Sequence, residues 1–192
     1  LTFDNIYHEH TNYWSLTAIN KFLNELGLKI FDVEEINTHG GSIRIYVSQQ
    51  NDVKINESVE SLLKKESNFG LNKISTYIDF GKKIENLKTK VNKNIKNLKK
   101  KYSNLIGYGA PAKASTALNY FNITDEIDFI VEDNQLKHDK YIPGVNIPIV
   151  SKEKIKSKDK PILVLAWNFF DEIRQNNQLL SNNFINIKDL EN

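Results

Sequence analysis

The stretch from Tyr102 to Asn119, YSNLIGYGAPAKASTALN, decides the fold. A short apolar run enters Gly107-Tyr108-Gly109-Ala110-Pro111-Ala112 and passes straight into residues at helical spacing, which reads as strand, tight turn and helix. The spacing is G-x-G-x-x-A, where two glycines let the backbone turn and approach a phosphate while the small third residue lets helix pack on strand. Pro111 suits the first helical turn, where its missing N–H costs nothing. The helix start offers free N–H groups and partial positive charge, an anion site with Lys113 one turn inside. Glycine pairs also serve purely steric ends at such turns, so the surroundings carry the weight.

On the carboxyl side, residues 127 to 131 (IDFIV) read as the return strand, followed by Glu132, Asp133 and Asn134. An acidic residue about 20 positions beyond the glycines meets a ribose hydroxyl in dinucleotide folds, and Glu132 or Asp133 lies slightly later. A loop with Tyr141, Pro143 and Gly144 leads to Ile147-Pro148-Ile149-Val150, whose proline predicts an edge strand. Pro161 opens ILVLAW, a continuous apolar run of the kind buried on both faces of a parallel sheet. It ends at Trp167-Asn168, at a strand's carboxyl end, where open α/β sheets place ligands. A helix from Phe170 and a last strand FINI complete a Rossmann-like α/β domain over residues 102–192.

On the amino side, residues 51–101 read as a helical connector: Val59, Leu62 and Leu63 mark a short helix, and Ile74, Ile78, Ile84, Leu87, Val91, Ile95 and Leu98 a longer stripe. The lysines between Lys88 and Lys101 interrupt no period and lack base-stacking aromatics, so they read as a solvated face rather than a nucleic-acid or membrane surface. Within residues 1–50, Ser15 caps a helix carrying Leu16, Ile19, Phe22, Leu23 and Leu26. LKIFDVEEI and SIRIYVS then form a hairpin around Thr38-His39-Gly40-Gly41. One helix and two strands are too little for an independent core.

The composition sets bounds. Hydrophobic content of 40% is ordinary for a globular chain, and a net charge of +2 argues against a dedicated nucleic-acid binder. With no cysteine there is no disulfide framework and no thiolate metal site. Of 26 basic residues only Arg44 and Arg174 are arginine, so Arg44 is a candidate for work that needs a planar fork, either on a phosphate or on Glu34 or Glu35. No apolar run approaches the roughly 18 residues of a membrane span, and no export leader is visible, which suggests the cytoplasm. A first residue Leu1 and the lack of Met suggest a piece of a longer polypeptide.

The richest chemistry lies in Tyr7-His8-Glu9-His10. Histidine titrates near neutrality and suits proton removal beside a carbonyl, while a tyrosine hydroxyl and a carboxylate can hold an enolate or orient the imidazole. His8 and His10 are also spaced for a metal pair, and surface histidines without a task are as common as either.

Several stretches together carry a resemblance: FDNIYHEHTNYWSLTA at the start, THGGSIRIY, GYGAPAKASTALNY, YIPG and LAWNFFDEI. In this order and spacing the chain resembles the C-terminal portion of S-adenosylmethionine-dependent C-methyltransferases of the tetronitrose-pathway type, which act on keto-deoxysugars linked to a nucleoside diphosphate. The resemblance implies a zinc-binding N-terminal region, a class I methyl-donor domain whose final helix and hairpin are residues 1–50, and a C-terminal nucleotide-sugar-binding domain. It places His10 as the base, assisted by Tyr7 and Glu9, and implies an enolate that attacks the methyl sulfonium. Gly107, Tyr108, Gly109, Ala110, Pro111 and Lys113 would then face the nucleotide diphosphate, with Arg44, Glu132, Asp133, Asn134, Pro143, Gly144, Trp167 and Asn168 as further substrate contacts. The donor's own glycine turn and the zinc cysteines are not in this stretch, so S-adenosylmethionine and zinc would bind elsewhere and the chain alone would be inactive. Ala114 stands where the family pattern has glycine. The alternative is an NAD(P)- or nucleotide-binding module without methyl transfer.

Overall fold

The computed structural model describes residues 3–38, 40–50, 52–103 and 105–191. They form two compact units, residues 10–82 and residues 3–9 together with 83–191. These boundaries cut across the segments 1–50, 51–101 and 102–192 expected from sequence: the first few residues pack with the C-terminal unit, and the second crossing falls inside a helix.

In the unit of residues 10–82, α1 (Leu16–Glu25) starts where Ser15 Oγ accepts from Ala18 N at 3.1 Å. The Leu16 and Thr17 amides donate to the two Glu66 carboxylate oxygens at 2.7 Å each, so this helix start is satisfied from a distant residue. β1 (Lys29–Ile36) and β2 (Ser42–Ser48) pair antiparallel, and α2 (Glu57–Phe69) stops at Gly70, whose φ of +83° is the left-handed cap that glycine provides without strain. Leu16, Ile30, Val33, Val59 and Leu62 are the buried core. At about 1.5–3 kcal/mol for each buried side chain, this is a thin core for a segment of this length.

α3 (Ile74–Tyr102) carries the stripe Ile84, Leu87, Val91 and Ile95, all buried in the C-terminal unit. That unit contains β3 (Leu105–Tyr108), α4 (Ala112–Phe121), β4 (Ile127–Val131), β5 (Lys140–Tyr141), β6 (Pro148–Val150), β7 (Ile162–Val164), α5 (Phe170–Asn176) and β8 (Phe184–Asn186). The sheet order is β5-β6-β4-β3-β7-β8, every pair parallel except β5 with β6. The α/β reading is borne out as a six-stranded, mostly parallel sheet with five α-helices among the described residues.

Alternation assigns the faces. Leu105, Ile130, Ile149, Leu163 and Leu165 point into one core with α3 and α4, while Ile106, Tyr108, Val131, Ile162 and Val164 share the other with Phe170 and Ile173 of α5. A Cβ on Gly107 would come within 2.6 Å of Ile130 Cγ1, so the first glycine is needed for close packing inside the sheet.

Two details differ from expectation. Pro111 is the residue before α4, at φ −72° and ψ 164°, so the helix begins one residue later than read. The proline-containing strand β6 is not at the edge, because the two-residue β5, which has no pattern of its own, covers it. Pro148 is tolerated as the first residue of its strand, where it faces Tyr141.

Candidate functional site

In chain order the parallel strands run β3, β4, β6 to one side and then β7, β8 to the other. The crevice at the carboxyl ends of β3 and β7 is therefore the point where the winding reverses, the place where open α/β sheets bind ligands. A cavity of about 530 Å³ lies there, within the usual 300–1,000 Å³ of small-molecule sites. Its floor is Tyr108 and Gly109 from β3 and its turn, one wall is Glu132 and Asp133 after β4, and the other is Ala166, Phe169 and Ile173. Gly109 has φ +85°, and a Cβ there would stand 2.8 Å from Ala166 Cβ, so the second glycine lets the β3 turn lie against the β7 turn.

Charged groups in the cavity are tied together. Glu132 Oε2 accepts from the Ala110 amide at 2.7 Å, and Oε1 accepts from Asn134 N at 3.1 Å. Lys137 Nζ donates to Ala110 O at 3.0 Å and stands 3.5 Å from Glu132 Oε2. Tyr108 donates its hydroxyl proton to Asp133 Oδ2 at 2.7 Å, and Lys152 binds the other oxygen at 3.1 Å. Burial, with the bond to Asp133 and its charge, pushes the Tyr108 hydroxyl well above its ordinary value, so it is a donor throughout the neutral range. Partial burial works to raise the Asp133 carboxyl, but the Tyr108 bond and Lys152 outweigh it and hold the group below its usual range.

The structure gathers Tyr108, Gly109, Pro111, Glu132 and Asp133 at this cavity and sends other expected residues elsewhere. Lys113 points away from the glycine loop, its ammonium 4.6 Å above the Trp167 ring, shielded from solvent and without a hydrogen-bond partner. Burial lowers its pKa, with Lys188 adding to the effect and Asp4 opposing it. Trp167 donates from Nε1 to buried Asp4 Oδ2 at 2.6 Å, and Lys188 reaches Asp4 Oδ1 at 3.3 Å. Together they bind residues 3–5, with Phe3 against Tyr120 and Phe121, to the C-terminal unit. Asn168 is exposed, and Asn134 Oδ1 caps a short 3-10 turn by accepting from Leu136 N at 3.0 Å. Gly144, at φ +86°, has no room for a Cβ because Asn119 lies against it, and Asn119 Nδ2 donates to Pro143 O at 2.8 Å, so the YIPG turn is fastened to α4. Pro143, Gly144, Trp167 and Asn168 line no part of the cavity.

Arg44 is exposed on β2 and pairs at 3.1 Å with Glu34, its cross-strand neighbour, which also accepts from the Tyr46 hydroxyl at 2.9 Å. Of the two uses open in sequence, the structure displays the ion pair. Tyr7, His8 and Glu9 lie in a turn of the C-terminal unit, with His8 Nε2 3.8 Å from Glu9 Oε1, and His10 opens the other unit with its ring 6.2 Å from that of Tyr13. No grouping of three or more His, Asp or Glu able to hold a metal occurs among the described residues. His39 lies outside the described residues.

Sequence reasoning missed Lys137, Lys152, Phe169, Ile173 and Asn177 on the cavity wall. Phe169, Ile173 and Asn177 recur at four-residue spacing directly after the β7 run, a face aimed at the strand end, and that pattern was available. The Asp4–Trp167 pair, 163 residues apart, left no such signal.

A family model described as the C-methyltransferase C-terminal domain matches residues 37–185. The chain belongs to this family. It is also similar to the C-methyltransferase NovU of Streptomyces niveus, 31% identical over 177 residues, which is 91% of this chain and 42% of that protein. The chain thus spans less than half the length of that relative. The resemblance read from the quoted motifs is borne out; four of the five lie within the matched span, and FDNIYHEHTNYWSLTA precedes it.

Proposed function

We propose that the C-terminal unit is the acceptor-binding part of an S-adenosylmethionine-dependent sugar C-methyltransferase, and that its cavity takes the nucleotide end of a nucleoside-diphosphate keto-deoxysugar. The observation that carries this is the cavity of about 530 Å³ at the reversal of strand order, in a chain of the C-methyltransferase C-terminal domain family. Taken in chain order, the parallel strands lie 3-2-1-4-5, the order of Rossmann-like nucleotide-binding sheets, which supports the same reading. Residues 1–50 are read as the tail of a donor domain, with its last helix and hairpin, and residues 51–101 as the connector. The thin core of the 10–82 unit accords with this.

In this reading His10 takes the proton from the sugar carbon beside the keto group, and Tyr7 and Glu9 orient it or hold the enolate. The methyl donor would supply an electrophilic methyl group. The described residues of the 10–82 unit do not fit it: one hairpin face packs on α1 and α2, and Glu34, Arg44 and Tyr46 bind one another on the other. Lys88, set 4.8 Å over the Tyr120 ring, and Lys99, bound to Asp125 O at 2.9 Å, show that part of the lysine-rich face of α3 is used for packing.

Calorimetry with a thymidine-diphosphate sugar against NADH tests the acceptor assignment. Tighter binding of the sugar nucleotide is expected, and tighter binding of NADH overturns it. In a complete methyltransferase polypeptide containing this chain, His10→Asn should abolish methyl transfer and leave sugar-nucleotide affinity nearly intact. Normal turnover in that variant removes His10 from the role.

A further inference from the structure

Resting on the acceptor reading above, we infer that the glycine loop is not a diphosphate cradle and that the cavity takes the nucleoside: ribose hydroxyls donate to Glu132, the base lies against Phe169 and Ile173, and the diphosphate points outward. The amides a phosphate would need are already in use. Gly109 N donates to Val131 O at 2.8 Å, Ala110 N donates to Glu132 at 2.7 Å, and Pro111 has no N–H. The remaining helix-start amides belong to Ala112 and Lys113, and neither residue lines the cavity. The Lys113 ammonium, the cation expected there, is turned into the cluster around Trp167.

Charge argues the same way. The cavity wall carries carboxylates of Glu132, Asp133 and Glu172 against the ammonium groups of Lys137 and Lys152, and both lysines already face a carboxylate. Glu132 is held with only 14% of its side chain exposed, so its negative charge stands where a phosphate on the loop would lie. A phosphate there would meet repulsion in a partly desolvated site, whereas a hydroxyl would find an acceptor. A carboxylate has about four lone-pair positions, and the bonds from Ala110 N, Asn134 N and the more distant Lys137 leave Glu132 room for a further donor. Phe169, with 60% of its surface exposed at the cavity wall, offers an apolar ring to a base.

The test titrates the 192-residue chain with thymidine, uridine, their counterparts lacking the 3′- and 2′,3′-hydroxyls, inorganic pyrophosphate and a thymidine-diphosphate sugar. The inference expects one nucleoside to bind within about tenfold of its diphosphate sugar, loss of about tenfold or more on removing the ribose hydroxyls, and no competition from pyrophosphate. Glu132→Gln should weaken the nucleoside by a similar factor and make pyrophosphate a better competitor. Pyrophosphate competing as well as the sugar nucleotide, or equal binding of the deoxygenated nucleoside, overturns the inference while leaving the acceptor reading intact. Binding of neither sugar nucleotide nor nucleoside overturns both.

Discussion

Gly109→Ala is the sharpest test of how the cavity floor is built. The residue has φ +85°, and an L side chain in that region costs about 1–2 kcal/mol. Its Cβ would also stand 2.8 Å from Ala166 Cβ and 3.4 Å from Ala166 N, an overlap of the kind that costs about 1–3 kcal/mol when a packed site cannot yield. The sum is a loss of about 2–5 kcal/mol in the stability of the C-terminal unit. Ala166→Gly separates the parts: it removes the overlapping atom and leaves the backbone strain. The double variant should therefore recover about 1–3 kcal/mol relative to additivity. Urea unfolding followed by Trp167 fluorescence in a Trp14→Phe background reads this unit. A single-variant loss below about 0.5 kcal/mol, or a coupling of zero, refutes the close approach of the two turns.

Asp4→Ala would strand Trp167 Nε1, leave Lys188 with Glu191 as its carboxylate, and take a nearby negative charge from Lys113, so a loss of about 1–3 kcal/mol is expected in the same assay. Wild-type stability in Asp4→Ala would mean that the amino-terminal residues are not docked as described. Tyr108→Phe removes a donor from Asp133. A carboxyl depressed below its unfolded value near 3.8 adds stability above that pH and loses it as pH falls through the folded value, so the variant's deficit at pH 7 should shrink below about pH 4. A deficit independent of pH contradicts this link. Lys113 has the same sign at the alkaline end: with its folded pKa below 10.5, the native state binds fewer protons than the unfolded one, and stability rises as pH climbs toward 10.5. Lys113→Met should flatten that rise in a comparison of unfolding at pH 8 and pH 10, and an unchanged slope places the ammonium in solvent.

Local patterns carried most of the fold. Strand, glycine turn and helix at residues 105–121 are set by apolar spacing and by glycines that the packing against Ile130 and Ala166 requires. Ser15 caps α1 at the residue before Leu16, where the sequence puts it. What stayed hidden was contact between distant residues. Nothing local says that β5 would pair with β6 and remove it from the edge. Glu132 was legible as an acidic residue after a return strand, but not as the partner of the Ala110 amide, because that bond depends on parallel pairing of β3 with β4. Lys113 and Trp167 each had a sequence rationale as ligand contacts, and three-dimensional packing bonds Trp167 to Asp4 and sets the Lys113 ammonium over the Trp167 ring.

The most direct test of the account is a two-dimensional amide NMR titration of the chain with a thymidine-diphosphate sugar. The account predicts shifts concentrated at Tyr108, Gly109, Glu132, Asp133, Phe169 and Ile173, around the cavity at the strand reversal. Saturable shifts that avoid these residues and fall on the β1–β2 hairpin would contradict it, as would no shift at millimolar ligand.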